Sequence, residues 1–213
     1  RALANNSICY TERPDVSAFM REWSAIYESR SGERGIFNRR ACQAMAPERR
    51  DKDWDFGTNP CSEIVLRSKQ FCNLSEVVGR YNDTMETLKI KIKVATMLGT
   101  VQASLTDFRY LGAQWKKNCE EEALLGVSIT GIFDCPVLLK ASPKQLEELR
   151  DHAVKTNEIF AKEIGINPSA SVTCVKPSGT VSQLVDSSSG IHPRHARYYI
   201  RRVRNDKKDP LSQ

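Results

Sequence analysis

No run of about 18 consecutive apolar residues, the length that spans a bilayer, occurs anywhere in this chain of 213 residues. The opening RALANNSICY lacks the basic-then-apolar layout of a secretion signal. Both absences point to a cytoplasmic protein with no membrane partner. C-x-x-C and H-x-x-x-H spacings are missing and there are only three histidines, so no metal site is expected. Internal repeats and low-complexity stretches are also missing. Cysteine itself is not scarce. The seven cysteines, at 9, 42, 61, 72, 119, 135 and 174, are odd in number and irregularly spaced, which excludes a disulfide scaffold and predicts reduced thiols.

An apolar content of 40% suffices for a true core. No composition shift divides residues 1–213, and a single domain is expected. The chain starts without Met and enters structured sequence at once, so it reads as a segment of a longer protein. Lys and Arg number 32 against 26 Asp and Glu, a net charge of +6 that suits a phosphate-bearing partner without separating nucleotide from nucleic acid.

The spacing in VSAFMREWSAIY (16–27) predicts a helix, broken by SRSGERG (29–35), and a second helix should end near Pro47. Leu88, Ile92, Ala95, Leu98, Val101 and Leu105 recur at three- and four-residue intervals and predict an amphipathic helix between 84 and 105. LLGVSITGIF (124–133) reads as a buried strand and turn. Ser142, Pro143 and Gln145 form a helix start, Leu146, Leu149, Ala153, Phe160 and Ile164 its apolar face, and Gly165 its stop. SVTCV (171–175) reads as a strand, and KPSGTVSQL as a turn opening a helix near Thr180. This order of strands and helices predicts an α/β fold.

The stretch NPCSEIVLRSKQFCNL (59–74) carries the chemistry. In extended backbone Asn59, Cys61 and Glu63 would project to one side, presenting an amide, a thiol and a carboxylate, while Gly57 and Pro60 mark a loop. Taken alone, N-x-C-x-E is more often a surface turn with an incidental cysteine. Cys72 is open to three readings: a disulfide with Cys61, a shared metal site, or no relation. VKPSGTVS suits a phosphate, through the Gly179 backbone, the Ser178 and Thr180 hydroxyls and free helix N–H groups, but it lacks the Lys-Ser/Thr of a Walker motif. IHPRHARYYIRRVR (191–204) suits phosphates or bases, and equally a solvated basic surface; His192 and His195 have no ligand partners in sequence.

In combination and in this order, GTNPCSEIVL, FCNLSEV and KPSGTVSQLVDSSSGIHPRHARYYIRRVR resemble ribonucleotide reductases. The resemblance is nearest to the adenosylcobalamin-dependent class II enzymes of the monomeric triphosphate-reducing type. It implies part of a ten-stranded α/β barrel with a central finger loop. This chain would hold the end of the first half, a finger loop near 57–66 and much of the second half, without the N-terminal strands and C-terminal tail. It also implies a radical cysteine at Cys61, a general base at Glu63, a ribose-hydroxyl contact at Asn59 and one member of the reducing dithiol at Cys72, its partner lying upstream. Pro177, Ser178, Gly179 and Thr180 would bind substrate phosphates. Ser62 departs from the Gly of many relatives. Cys119, Cys135 and Cys174 match no catalytic position and are expected to pack.

The expected function is reduction of ribonucleoside triphosphates to deoxyribonucleotides, with adenosylcobalamin as cofactor and an external dithiol such as thioredoxin as reductant. The full-length form would be monomeric and without nucleic acid. The alternatives are a basic nucleotide- or nucleic-acid-binding module without catalysis, and a class I or class III reductase using another radical source.

Overall fold

The computed structural model describes residues 7–30 and 35–210. The strands and helices, in chain order, are β1 (Ile8–Tyr10), α1 (Val16–Ser29), β2 (Ile36–Asn38), α2 (Arg39–Met45), β3 (Gly57–Thr58), β4 (Val65–Leu66), β5 (Asn73–Val78), α3 (Met85–Ala103), α4 (Ala113–Glu122), β6 (Leu125–Thr130), α5 (Pro136–Leu139), α6 (Pro143–Ile164) and α7 (Thr180–Leu184). The break expected at 29–35 lies partly outside the described residues.

β5 and β6 form a parallel pair, in register from Asn73 opposite Leu125 to Val78 opposite Thr130. Helices α3 and α4 make the crossover between them, as a parallel connection requires. α6 then returns the chain to the free side of β6. There the expected strand 171–175 runs parallel but keeps only one regular bridge, Thr173 to Val127. Bonds from Leu125 N–H to Ser171 O and from Val127 N–H to Val172 O place two donors of β6 on adjacent carbonyls, so the ladder slips and no full strand forms. Val77, Leu88, Ile92, Leu125, Val127, Leu149, Ala153 and Val172 make the core between this sheet and the helices α3 and α6. The α/β class is as expected. Among the described residues the sheets are two-stranded, and neither a ten-stranded barrel nor its central finger is seen.

Helix ends follow the sequence closely. Ser142 and Gln145 close a reciprocal capping box on α6, and Gly165 ends it in the left-handed region. Thr84 and Thr87 do the same for α3. The buried face of α3 differs from the expected one: Leu88, Ile92 and Ala95 are buried, but Leu98, Val101 and Leu105 are exposed, and Thr96, Gly99, Thr100 and Ala103 complete the stripe instead. The Thr96 and Thr100 hydroxyls bond back to Ile92 O and Thr96 O, each at 2.7 Å, which lets hydroxyls line the packed side. On α6, Leu149 and Ala153 are buried while Leu146 and Ile164 are partly exposed.

Candidate active site

Two short strands, β3 and β4, pair antiparallel and pinch a loop between them, with Gly57 opposite Leu66 and Thr58 opposite Val65. Asn59 ties the loop shut: its backbone N–H donates to Ile64 O at 3.2 Å, and its side-chain Oδ1 accepts from Ile64 N–H at 3.1 Å. A turn closed by Ser62 N–H to Asn59 O at 3.0 Å crosses the tip. This turn breaks the expected strand alternation. Cys61 is exposed at the tip, while the Glu63 side chain is 4% exposed, so the two do not share one face. Ser62 adopts φ 63°, in the left-handed region that favours glycine.

The loop lies on the sheet through Ile64. A Cβ on Gly126 of β6 would stand 3.3 Å from Ile64 Cδ1, 3.2 Å from Cys174 Sγ and 2.4 Å from Leu74 Cδ2. Only glycine lets the loop, β5 and residue 174 meet here. Cys174, expected merely to pack, therefore sits at the site; Cys119 is buried behind Cys72, its sulfur accepting from Phe71 N–H at 3.4 Å, and Cys135 is buried in the core. All seven thiols are free.

Lys176, unforeseen in the sequence, donates from Nζ to Glu63 Oε1 at 2.6 Å. Burial pushes the Glu63 carboxyl up, but the hydrogen bond from Lys176, together with its own backbone N–H, the Asn59 side chain and the Lys176 charge, outweighs it, and the group stays below the usual carboxylate range. The same pairing outweighs burial on Lys176 and holds its ammonium above the ordinary lysine value. Glu63 Oε2 is buried without a hydrogen-bond partner among the described residues. Burial and the Glu63 charge raise the Cys72 thiol, and burial, Glu63 and Cys72 push Cys174 up to about 12. Both thiols thus stay protonated at neutral pH. A cavity of about 250 Å³ opens beside Glu63, lined also by Cys42, Arg50, Leu124 and Thr173.

A second unforeseen group holds the loop stems. Arg50, almost fully buried, donates to Glu122 Oε1 at 3.1 Å and Oε2 at 3.0 Å, and to Val65 O of β4 at 2.8 Å. Gln70 donates to Glu122 Oε2 at 2.6 Å, and Arg67 to Asn118 Oδ1 at 3.0 Å. The Arg50 guanidinium also covers the Phe56 ring at 4.4 Å. Nothing in the local sequence marks a contact spanning residues 50 to 122.

At 177–180, Ser178 and Gly179 both take positive φ before the five-residue α7. Ser178 Oγ is engaged with Glu76 Oε1 at 2.8 Å, and Ser189 Oγ donates to Pro177 O at 2.5 Å. In the basic segment Arg194 is committed to Asp134 and Asp186, an ion-pair cluster within the fold. His192 bonds Ser189 O at 3.2 Å and His195 packs edge-on to Tyr199.

A thiol stands at the tip of a pinched loop, with a carboxylate just behind it and a second thiol at the foot of a parallel strand, an arrangement able to exchange protons and electrons with a bound substrate, and similarity to known proteins narrows this. The chain is 30% identical over 185 residues to the adenosylcobalamin-dependent ribonucleoside-triphosphate reductase of Lactobacillus acidophilus, covering 73% of the chain and 24% of that protein. It is 28% identical over 244 aligned residues to the enzyme of the same name from Lacticaseibacillus paracasei, covering 99% of the chain and 32% of that protein. A crystal structure of a B12-dependent class II ribonucleotide reductase superposes with a TM-score of 0.63 at 26% identity, covering 88% of the chain and 30% of that one. No protein-family model matches the chain. The chain is thus a relative of the class II, adenosylcobalamin-dependent ribonucleotide reductases, as its motifs imply, and it spans about a quarter to a third of the length of the curated relatives it matches.

Proposed function

We propose that this chain forms the loop-bearing part of a reductase that converts ribonucleoside triphosphates to deoxyribonucleotides, the remaining barrel strands and the partner thiol of Cys72 being supplied by sequence outside it. One observation carries the reading: the accessible Cys61 thiol stands on a loop whose next charged residue, Glu63, is buried and held ionised by Lys176. An exposed thiol fits a radical-generating cofactor that approaches from outside the sheet. In this chain Cys61 is the residue that would meet adenosylcobalamin, which when bound supplies the oxidising equivalent for a thiyl radical.

The Cys61 thiyl takes the ribose 3′ hydrogen, an exchange between bonds of similar strength. Glu63 accepts the 3′-hydroxyl proton through the oxygen left open by Lys176. Asn59 spends its carbonyl on the loop, and its amide, which also steadies the Glu63 carboxylate, contacts a ribose hydroxyl. The protonated Cys72 gives a proton to the departing 2′-hydroxyl, which leaves as water. Cys72 and its partner thiol then supply two electrons and become a disulfide, Cys61 returns the hydrogen to C3′ and Glu63 the proton to its oxygen, and an external dithiol such as thioredoxin reduces the disulfide. Pro177 to Thr180 receive the substrate phosphates, with Ser178 exchanging Glu76 for the ligand. In this reading the full-length form is monomeric.

The test is deoxynucleotide formation from a ribonucleoside triphosphate by the complete reading frame that carries this chain, with adenosylcobalamin and a dithiol. Cofactor-dependent product that disappears in Cys61→Ser is expected, because an O–H bond is too strong to replace S–H. Wild-type turnover in that variant would overturn the reading. Salt-sensitive binding of nucleic acid without any reductase activity would favour the basic binding module instead.

A further inference from the structure

We infer that Lys176 is the positioning residue of the general base: its ammonium clamps one oxygen of the Glu63 carboxylate and leaves the other aimed for the substrate proton. The inference rests on the reading of Glu63 as that base. Its geometry is independent of that reading. The contact joins residues 113 positions apart at 2.6 Å, the Glu63 side chain is 4% exposed and that of Lys176 24%, and Oε2 is the one carboxylate oxygen without a partner among the described residues. A buried carboxylate with one oxygen clamped and one free has a single direction in which to accept a proton.

The placement of Lys176 extends the argument. It directly precedes the 177–180 turn, and Gly190 packs so closely on its carbonyl that a Cβ there would lie 2.7 Å from Lys176 O. Backbone that is fixed on one side by Gly190 and joined on the other to the turn sets the lysine's reach. Ser178, two residues on, is bound to Glu76 of β5. The segment 176–178 therefore ties the loop carboxylate and the sheet carboxylate to the turn proposed for the phosphates, so that substrate seating and base orientation share one piece of backbone.

The charged and titratable groups around Glu63 are Cys61 on the loop, Cys72 before β5, Cys174 and Lys176 on the returning segment, and Cys42 and Arg50 across the adjoining cavity. Arg50 is already paired with Glu122. Burial raises the thiols of Cys42, Cys72 and Cys174, which moves them toward the alkaline side. The carboxylates at the site are Glu63 and Glu76, and Glu76 is bound to Ser178 and not to Lys176; the part of the acidic limb that answers to Lys176 therefore belongs to Glu63. With Lys176 present, the carboxylate form persists to low pH. Without it, the strongest of the interactions that oppose burial is lost, the group protonates at higher pH, and the limb moves upward.

The experiment measures kcat and KM against pH for the complete protein with its cofactor and a dithiol, comparing Lys176→Met, Lys176→Arg and Glu63→Gln. Lys176→Met is expected to lower kcat roughly 10- to 100-fold with a smaller change in KM, and to shift the acidic limb to higher pH. Lys176→Arg should keep the limb low, because its guanidinium stays charged, while kcat falls through altered geometry. A fall in kcat with an unmoved limb in Lys176→Met would reduce Lys176 to a structural role and overturn the inference. If Lys176→Met does not fold, the arginine variant decides: a limb displaced upward there overturns it equally. Full activity in Glu63→Gln removes the base reading itself, whereas a dead Glu63→Gln beside an unmoved limb in Lys176→Met removes the Lys176 inference alone.

Discussion

Ser62 holds a φ of 63° at the tip of the loop, next to the exposed Cys61. A side chain in that region costs about 1 to 2 kcal/mol, and the weak Thr58 to Ser62 hydroxyl contact at 3.4 Å returns little of it. Glycine would remove the strain but loses more freedom on folding. Ser62→Gly is therefore expected to stabilise the protein by no more than about 1 kcal/mol, read as a small rise in melting temperature. A fall would show that the hydroxyl contact matters more than the backbone strain. At this scale the sequence was legible where chemistry is local. Cys61, Glu63 and Asn59 are marked by residue type and spacing, and the oddity of Ser62 shows against the motif. Lys176 and Cys174 were not legible, because their importance arises from contacts with Glu63 and with the face of Gly126, both far away in the chain.

Among the elements, β3 and β4 are each two residues long and form no lasting hairpin by themselves. Their geometry depends on Arg50, which bonds Val65 O and is neutralised by Glu122 at the end of α4. Taking away one partner of such a buried pair strands the other charge, at a cost of about 3–5 kcal/mol. Glu122→Ala is expected to lose stability on that scale, while the double variant Arg50→Met, Glu122→Leu loses clearly less; comparison of their denaturant midpoints checks this. Equal losses would show that Arg50 acts through Val65 O and not through its ion pair. Caps and stops were readable here, since Ser142, Gln145 and Gly165 act within a few residues. The buried face of α3 was not. That helix carries apolar side chains on two faces, so periodicity alone does not say which one the sheet covers.

For the whole molecule, the second face of α3 decides what the chain does in isolation. Ile90, Val94, Leu98 and Val101 are exposed along it, and Leu105 just past its end. Among the described residues β5 pairs only with β6, which leaves its other edge without a partner strand. An apolar helix face and an open parallel edge are the features that a closed barrel covers and that single domains avoid exposing. The α/β order was legible from the alternation of patterns, but the sheet arrangement was not, because pairing depends on contacts between residues far apart in the chain. The chain expressed by itself is therefore expected to self-associate and to bind a hydrophobic dye strongly, whereas the complete reading frame does neither. Analytical ultracentrifugation over a range of concentrations separates the cases. A monodisperse, dye-silent monomer of the isolated chain would mean that the α3 face and the β5 edge are tolerated as they stand, and it would count against placing this chain inside a larger barrel.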